Sequence, residues 1–151
     1  MQTHQYLALI FSSIAIVVSV LSFLKTRRVN LYQDIDRLYL EVLKLGMAEP
    51  DFLDAQKTRV YKDSFSAKEL GKYNAYAFIV WNVCETIADR MNERTFFMKD
   101  KSLVKTWEPV LRNESARHRA WFDNDDNADK FKTEFRCFIK RNYPAALPPS
   151  S

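Results

Sequence analysis

The sequence predicts an all-α protein: one N-terminal transmembrane helix followed by a compact cytoplasmic domain of about four helices. Three observations predict it. Glycine occurs only 2 times and proline 5 times in 151 residues, so turn signals are scarce. Apolar residues recur every three or four positions along most of the chain, the period of a helix. And Tyr6 to Leu24 is a run of 19 residues without a charge, closed by Lys25, Arg27 and Arg28.

At ~1.5 Å per residue that run is ~28 Å long, about one hydrocarbon core. Of its 19 residues, 12 are Leu, Ile, Val or Phe, enough to favour insertion despite four serines. A buried core helix and a cleaved signal peptide are the alternatives. The first rarely runs so long without a polar face, and the second has a shorter apolar core and a basic leader. The basic residues after Leu24 place everything beyond residue 25 in the cytoplasm, and in bacteria this means the inner membrane. There Cys84 and Cys137 stay reduced. Within the run, Ala8, Ser12, Ala15, Ser19 and Ser22 are spaced 4-3-4-3. In lipid such a seam of small residues lets helices approach closely, so it is the expected contact for self-association.

Residues 29–143 read as one helical domain and 144–151 as a disordered tail. The first cytoplasmic helix spans about Asn30 to Leu45. Its apolar seam is Leu31, Ile35, Leu38, Val42 and Leu45, with Gly46 as a C-terminal cap. If it continued straight from the anchor, this seam would lie ~140° from the small-residue seam. Otherwise the helix breaks near Thr26 to Val29. Residues 47–65 form an irregular connection with a helical turn near Asp54 to Tyr61. Ser66-Ala67-Lys68-Glu69 is a capping box that starts the central helix, Ala67 to Asn92. Its inward face is Tyr73, Tyr76, Ala77, Val80, Trp81, Cys84, Ile87, Ala88 and Met91. A fourth helix spans Lys101 to Phe122, kinked or restarted at Pro109, with Leu103, Trp107, Val110 and Leu111 inward. Asp125 or Asp126 caps the last helix, which runs to about Asn142 with Ala128, Phe131, Phe135, Phe138 and Ile139 inward.

The net charge of +4 belongs to the membrane junction, because from Val29 onward 20 basic residues face 19 acidic ones. A general binder of duplex nucleic acid is thereby excluded. No glycine-rich phosphate loop is present, and Cys84, Cys137, His4 and His118 lack zinc-ligand spacing. Glu114 and His118 form an i,i+4 pair, read as a solvated ion pair. Glu85 and Asp89 are read as partners of Arg90, Arg94 or another helix. No motif requires a cofactor or metal, and nothing points to an enzyme.

Two groups can take an anion. Arg117, His118 and Arg119 precede Trp121, so guanidinium forks could hold phosphate oxygens while a ring stacks on a base. Lys132, Arg136 and Lys140 make one stripe on the last helix. The competing reading is a solvated stripe, with Arg119 paired to Asp123 or Glu114.

Three stretches resemble markers of small bacterial single-pass membrane proteins with a helical cytoplasmic domain. These are Tyr73-Asn74-Ala75-Tyr76 leading to Trp81-Asn82-Val83-Cys84-Glu85-Thr86, then Thr106-Trp107-Glu108-Pro109-Val110-Leu111, then His118-Arg119-Ala120-Trp121-Phe122. The layout is similar to that of bacterial antiviral effectors, among them CRISPR-associated membrane effectors that bind a cyclic oligoadenylate. The resemblance implies a homo-oligomeric effector whose cytoplasmic domain takes a nucleotide-like anion and perturbs the membrane. The alternative is a membrane-anchored scaffold or accessory subunit that docks a partner protein without catalysis.

Overall fold

The computed structural model describes residues 2–92 and 101–145, with side chains from residue 11 onward except at 28, 31, 92 and 101. It is all-helical, with no strand among the described residues. The chain divides into two compact units, Met1–Asp34 and Ile35–Ser151.

The first helix, α1, runs without interruption from Gln2–Ala48, so the possible break near Thr26 to Val29 does not occur. Among the described residues no helix is long and apolar enough to cross a membrane. Tyr6 to Ile10 of the expected span, and Ala8 of its small-residue seam, have side chains outside the described residues. The uncharged remainder, Phe11 to Leu24, is 14 residues, about 21 Å of helix and less than one hydrocarbon core.

In the larger unit, α1 turns Ile35, Val42 and Gly46 inward. Leu38 and Leu45, expected on the same face, are each 42% exposed. Gly46 is not a cap. It lies inside the helix, because the chain beyond it folds back and brings Leu53 and Tyr76 onto its Cα. A Cβ there would lie 2.7 Å from Leu53 Cδ2 and 2.9 Å from Tyr76 Oη. Tyr76 is boxed in by the rings of Phe52 and His118 and cannot yield freely. Gly46→Ala is therefore expected to destabilise by about 1 kcal/mol, overpacking outweighing the better helix propensity. Gly71→Ala, in the central helix with open space around it, is expected to stabilise by about 0.5–1 kcal/mol. Parallel urea titrations check the opposite signs.

After a 3-10 turn at Pro50–Leu53 come two short helices, α2 (Ala55–Arg59) and α3 (Tyr61–Ser64). Asp54 caps α2, accepting from Gln56 N at 2.7 Å and Lys57 N at 3.3 Å. The capping box forms as expected. Ser66 N donates to Glu69 Oε2 at 2.9 Å and Glu69 N to Ser66 Oγ at 3.5 Å. It starts α4 (Ala67–Asn92), in which all nine residues expected inward are buried.

The fourth predicted helix is two. Pro109 sits inside α5 (Lys101–Arg117) without ending it, on the exposed side where water can take the carbonyl freed by the missing N–H. The break comes instead at His118 (φ −103°, ψ 19°), before α6 (Arg119–Phe122). There the Thr58 hydroxyl donates to Arg117 O at 2.8 Å and Trp81 Nε1 to His118 O at 3.1 Å. The Thr58 side chain from α2 thus takes a carbonyl that a continuing helix would use, while His118 O accepts from Phe122 N at 3.3 Å as well as from Trp81.

The acidic turn does not cap the last helix. Asp125–Lys130 is a 3-10 turn, and α7 (Thr133–Asn142) begins after Lys132. Phe131, Phe135 and Ile139 are buried as expected, whereas Ala128 and Phe138 are only half-buried. α4 packs against α5, α6 and α7, and is the axis of the domain. The expected tail lies outside the described residues from 146 onward.

Candidate functional site

The feature that stands out in the Ile35–Ser151 unit is a buried polar network where α1, α4 and α5 meet. Glu114, near the end of α5, is 4% exposed and His118 is 0% exposed. The pair is not solvated as the i,i+4 spacing suggested, because α4 and the α2 region cover it. Tyr39 Oη on α1 donates to Glu114 Oε1 at 3.0 Å. The Arg117 guanidinium spans both carboxylate oxygens, NH1 lying 3.2 Å from Oε1 and 3.0 Å from Oε2. His118 Nδ1 and Tyr73 Oη are 3.0 Å apart. Nε2 faces Glu114 Oε2 at 3.6 Å, too far for a hydrogen bond, and has no other partner in the structure. Tyr76 Oη is buried and equally unpartnered.

The electrostatics follow from this enclosure. Burial lowers the His118 pKa more than the Glu114 carboxylate restores it, so the imidazole is held neutral. Burial pushes Glu114 up, but His118, Arg117 and Tyr39 outweigh it and keep the carboxyl below its ordinary range. Tyr76 is pushed up to about 12, first by burial and then by the Glu114 charge. Burial and then Glu114 likewise push Tyr39 up, so it remains a donor. A carboxylate beside Nε2 favours the tautomer protonated there, which leaves Nδ1 to accept from Tyr73.

The residues singled out as anion ligands are mostly engaged inside the protein. Arg117 holds Glu114 and is 28% exposed at its side chain. Arg119 pairs with Asp123, the competing reading above, through Nε to Oδ2 at 2.6 Å, and its NH1 donates to Tyr143 O at 2.6 Å. Trp121 is 1% exposed. Its Nε1 donates to Asn74 Oδ1 at 3.0 Å and Lys130 Nζ lies 5.1 Å above its ring, so the ring is not open for base stacking. Lys132 bridges to α4, its N donating to Glu85 Oε1 at 3.2 Å and its Nζ to Asp89 Oδ2 at 2.7 Å. Both acidic residues thus find a partner outside their own helix. Arg136 donates to Phe122 O at 3.2 Å and lies over the Phe122 ring at 4.9 Å. Lys140 is exposed. The structure brings together Arg117 and His118, through Glu114; it does not gather the five cations, His118 and Trp121 into one surface.

Cys84 is fully buried and its thiol is pushed well up, chiefly by burial and then by the Glu114 charge. Cys137 is exposed. Among the described residues no cluster of three or more His, Cys, Asp and Glu could hold a metal ion. Tyr39, Tyr73, Tyr76 and Thr58 were not singled out from the sequence as polar groups. The available signal was a tyrosine hydroxyl at two expected inward positions, Tyr73 and Tyr76, which must find partners once buried. No family model, curated protein or solved structure matches the chain.

Proposed function

We propose that the chain is a membrane-anchored, self-associating protein whose helical domain docks a partner protein and works by binding. One observation carries this reading. Between Phe11 and Phe23, α1 exposes apolar side chains on all sides. Phe11 is 69% exposed, Ile16 64%, Val18 56%, Val20 47%, Leu21 61% and Phe23 65%. Counted at ~100° per residue these positions circle the helix. A helix apolar all round must be covered by lipid or protein. Tyr6 to Ile10 extend the uncharged run to 19 residues, and Lys25, Arg27 and Arg28 mark the cytoplasmic end. Engagement of Arg119, Lys132 and Arg136 within the domain supports docking over anion binding.

The test is extraction of full-length protein from membranes with alkaline carbonate. The native chain is expected to stay in the pellet. Ile16→Arg with Val20→Arg is expected to release it, each arginine costing about 2.5–3.5 kcal/mol of insertion. Native protein released by carbonate would overturn the anchor.

A second reading has one observation in its favour. Arg117 is half-buried at the edge of the Glu114 network, and Glu114 reaches Tyr39 on α1. A nucleotide-like anion, such as the cyclic oligoadenylate of the resembled effectors, could compete for Arg117 and free Glu114. The contact with α1 would then shift in response to ligand, a route from binding to the membrane. Full-length protein in detergent is to be heated with linear and cyclic nucleotides. A ligand at about 100 times its Kd adds about 2.7 kcal/mol, and Arg117→Glu is expected to abolish the resulting shift. A shift with one cyclic nucleotide would replace docking by gating as the function; no shift keeps docking.

A further inference from the structure

Glu114 is a buried carboxylate that faces both Arg117 and His118. Arg117 NH1 lies 3.2 Å from Oε1 and 3.0 Å from Oε2, and His118 Nε2 lies 3.6 Å from Oε2. The two neighbours differ in their access to water. The Arg117 side chain is 28% exposed and the His118 side chain 0%. While His118 is neutral, Arg117 is the cation that balances Glu114.

The titratable and charged groups that face His118 come from three helices. They are Glu114 and Arg117 from α5, Tyr73 and Tyr76 from α4, and Tyr39 from α1, which reaches it through Glu114. Cys84 of α4 feels the Glu114 charge. From α2 comes only the Thr58 hydroxyl, spent on Arg117 O.

Protonation changes what this cluster can hold. The proton goes to Nδ1, the nitrogen that accepts from Tyr73. The Tyr73 oxygen can turn to accept from it. His118 then carries a full charge out of reach of water. A buried charge is costly unless an opposite charge meets it at hydrogen-bond distance. Glu114 is the carboxylate beside it, and closing 3.6 Å to about 2.8 Å makes a charge-assisted hydrogen bond. Two cations then crowd one carboxylate, and like charges repel. His118 is enclosed and cannot leave. Arg117 stands at the edge and can be hydrated.

We propose that His118 is a proton-operated switch that takes Glu114 from Arg117 in acid and turns the guanidinium out to solvent. Burial holds His118 below its ordinary value, so the exchange takes place below about pH 6.5. Glu114 keeps its charge there, because its own value lies below the ordinary carboxylate range. Tyr39 goes on donating to Oε1, so α1 stays joined to α5 and the change is confined to Arg117. In acid the domain thus presents a free guanidinium fork, a shape that matches phosphate and carboxylate oxygens. The switch lies within the Ile35–Ser151 unit and works with or without a membrane anchor or a docked partner.

The test is NMR of full-length protein in detergent, labelled with nitrogen-15 at arginine and tryptophan, with Arg117→Lys identifying the signal. At about pH 7.5 the Arg117 Nη signals are expected to be resolved, because the carboxylate restrains rotation of the guanidinium. Between about pH 6.5 and pH 5 they are expected to collapse to the averaged position of a free arginine. The Trp81 Nε1–H signal, bonded to His118 O, is expected to persist. Arg117 signals that stay resolved through this range would overturn the proposal. Collapse together with loss of the Trp81 signal, the mark of unfolding, would overturn it too. His118→Asn, which keeps an acceptor for Tyr73, is expected to leave the Arg117 signals resolved throughout, and a collapse at the native pH would refute the switch. Glu114→Gln is expected to give averaged signals at every pH. Resolved signals at about pH 7.5 in that variant would show that another group holds Arg117, against the proposal.

Discussion

Replacing Trp81 with alanine is expected to cost the domain about 3–5 kcal/mol, the range for an aromatic removed from a tight core. Trp81 is 0% exposed and sits midway along α4. Its ring stacks on Phe122 with centroids 3.8 Å apart and meets Phe135 edge-on at 6.1 Å. Its Nε1 donates to His118 O where α5 stops. Alanine would open a cavity between α4, α6 and α7 and remove one of the two donors to that carbonyl, which also accepts from Phe122 N at 3.3 Å. Trp81→Phe separates the two effects. It keeps an aromatic face toward Phe122 and loses the hydrogen bond, so about 1–2 kcal/mol is expected. Urea unfolding followed by circular dichroism on full-length protein in detergent measures both. A Trp81→Ala loss below about 1 kcal/mol would contradict the packing described here.

The second large effect is acid lability of the Glu114–His118 network. The folded-state pKa of His118 lies below its ordinary value, so on acidification the unfolded chain takes up the proton first. Stability is therefore complete above about pH 6.5 and declines as pH falls below it. Glu114 is also depressed. Its contribution is present above the ordinary carboxylate range and is lost as pH falls through its folded value. Both groups destabilise the fold in acid, and they titrate as a pair because they face each other. The groups around them are Tyr39 from α1, Tyr73 and Tyr76 from α4, and Arg117 from α5. The three tyrosines, each pushed up chiefly by burial, release no proton in this window. Unfolding free energy is expected to fall between about pH 7 and pH 5 with a slope of at most about 1.4 kcal/mol per pH unit. His118→Asn, which keeps an acceptor for Tyr73, is expected to flatten that part of the curve and leave the steeper acid limb. An unchanged profile in this variant would remove His118 as the cause.

Much of the fold was legible from short-range signals. α4 is the clearest case. Ser66 and Glu69 start it, and the period of its apolar residues named nine of the ten buried positions from Tyr73 to Met91, missing Val83. Capping needs only residues three apart, and a helical face needs only the 3.6-residue period; neither depends on the rest of the chain. Phe131, Phe135 and Ile139 followed the same logic.

The candidate site was less legible, because its partners come from far along the chain. Gly46 looked like a cap, since glycine after an apolar run usually is one; the arrival of Leu53 and Tyr76 makes it a close-packing position instead. The chain around His118 looked continuous, having no glycine or proline there. Thr58, 59 residues away from its acceptor Arg117 O, takes a carbonyl at the break, and Trp81, 37 residues from His118 O, adds a second donor beside it. The Arg119–Asp123 pair was legible at its i,i+4 spacing, whereas Lys132 and Arg136 read as free for an anion or for solvent, because a sequence shows a charge without showing which carbonyl or carboxylate folding brings to it.

By itself, then, the sequence determined that the chain is helical, where α2, α4 and α5 begin, and which faces of α4 and α7 are apolar. These properties come from propensity, capping and period, all set within about one or two turns. Tertiary structure alone decided that Glu114 and His118 are buried together, that the cations are spent on internal acceptors, and that Leu40, Leu43 and Met47 are left exposed. Each of these depends on which distant side chain excludes water from a given atom, and residue spacing carries no information about that.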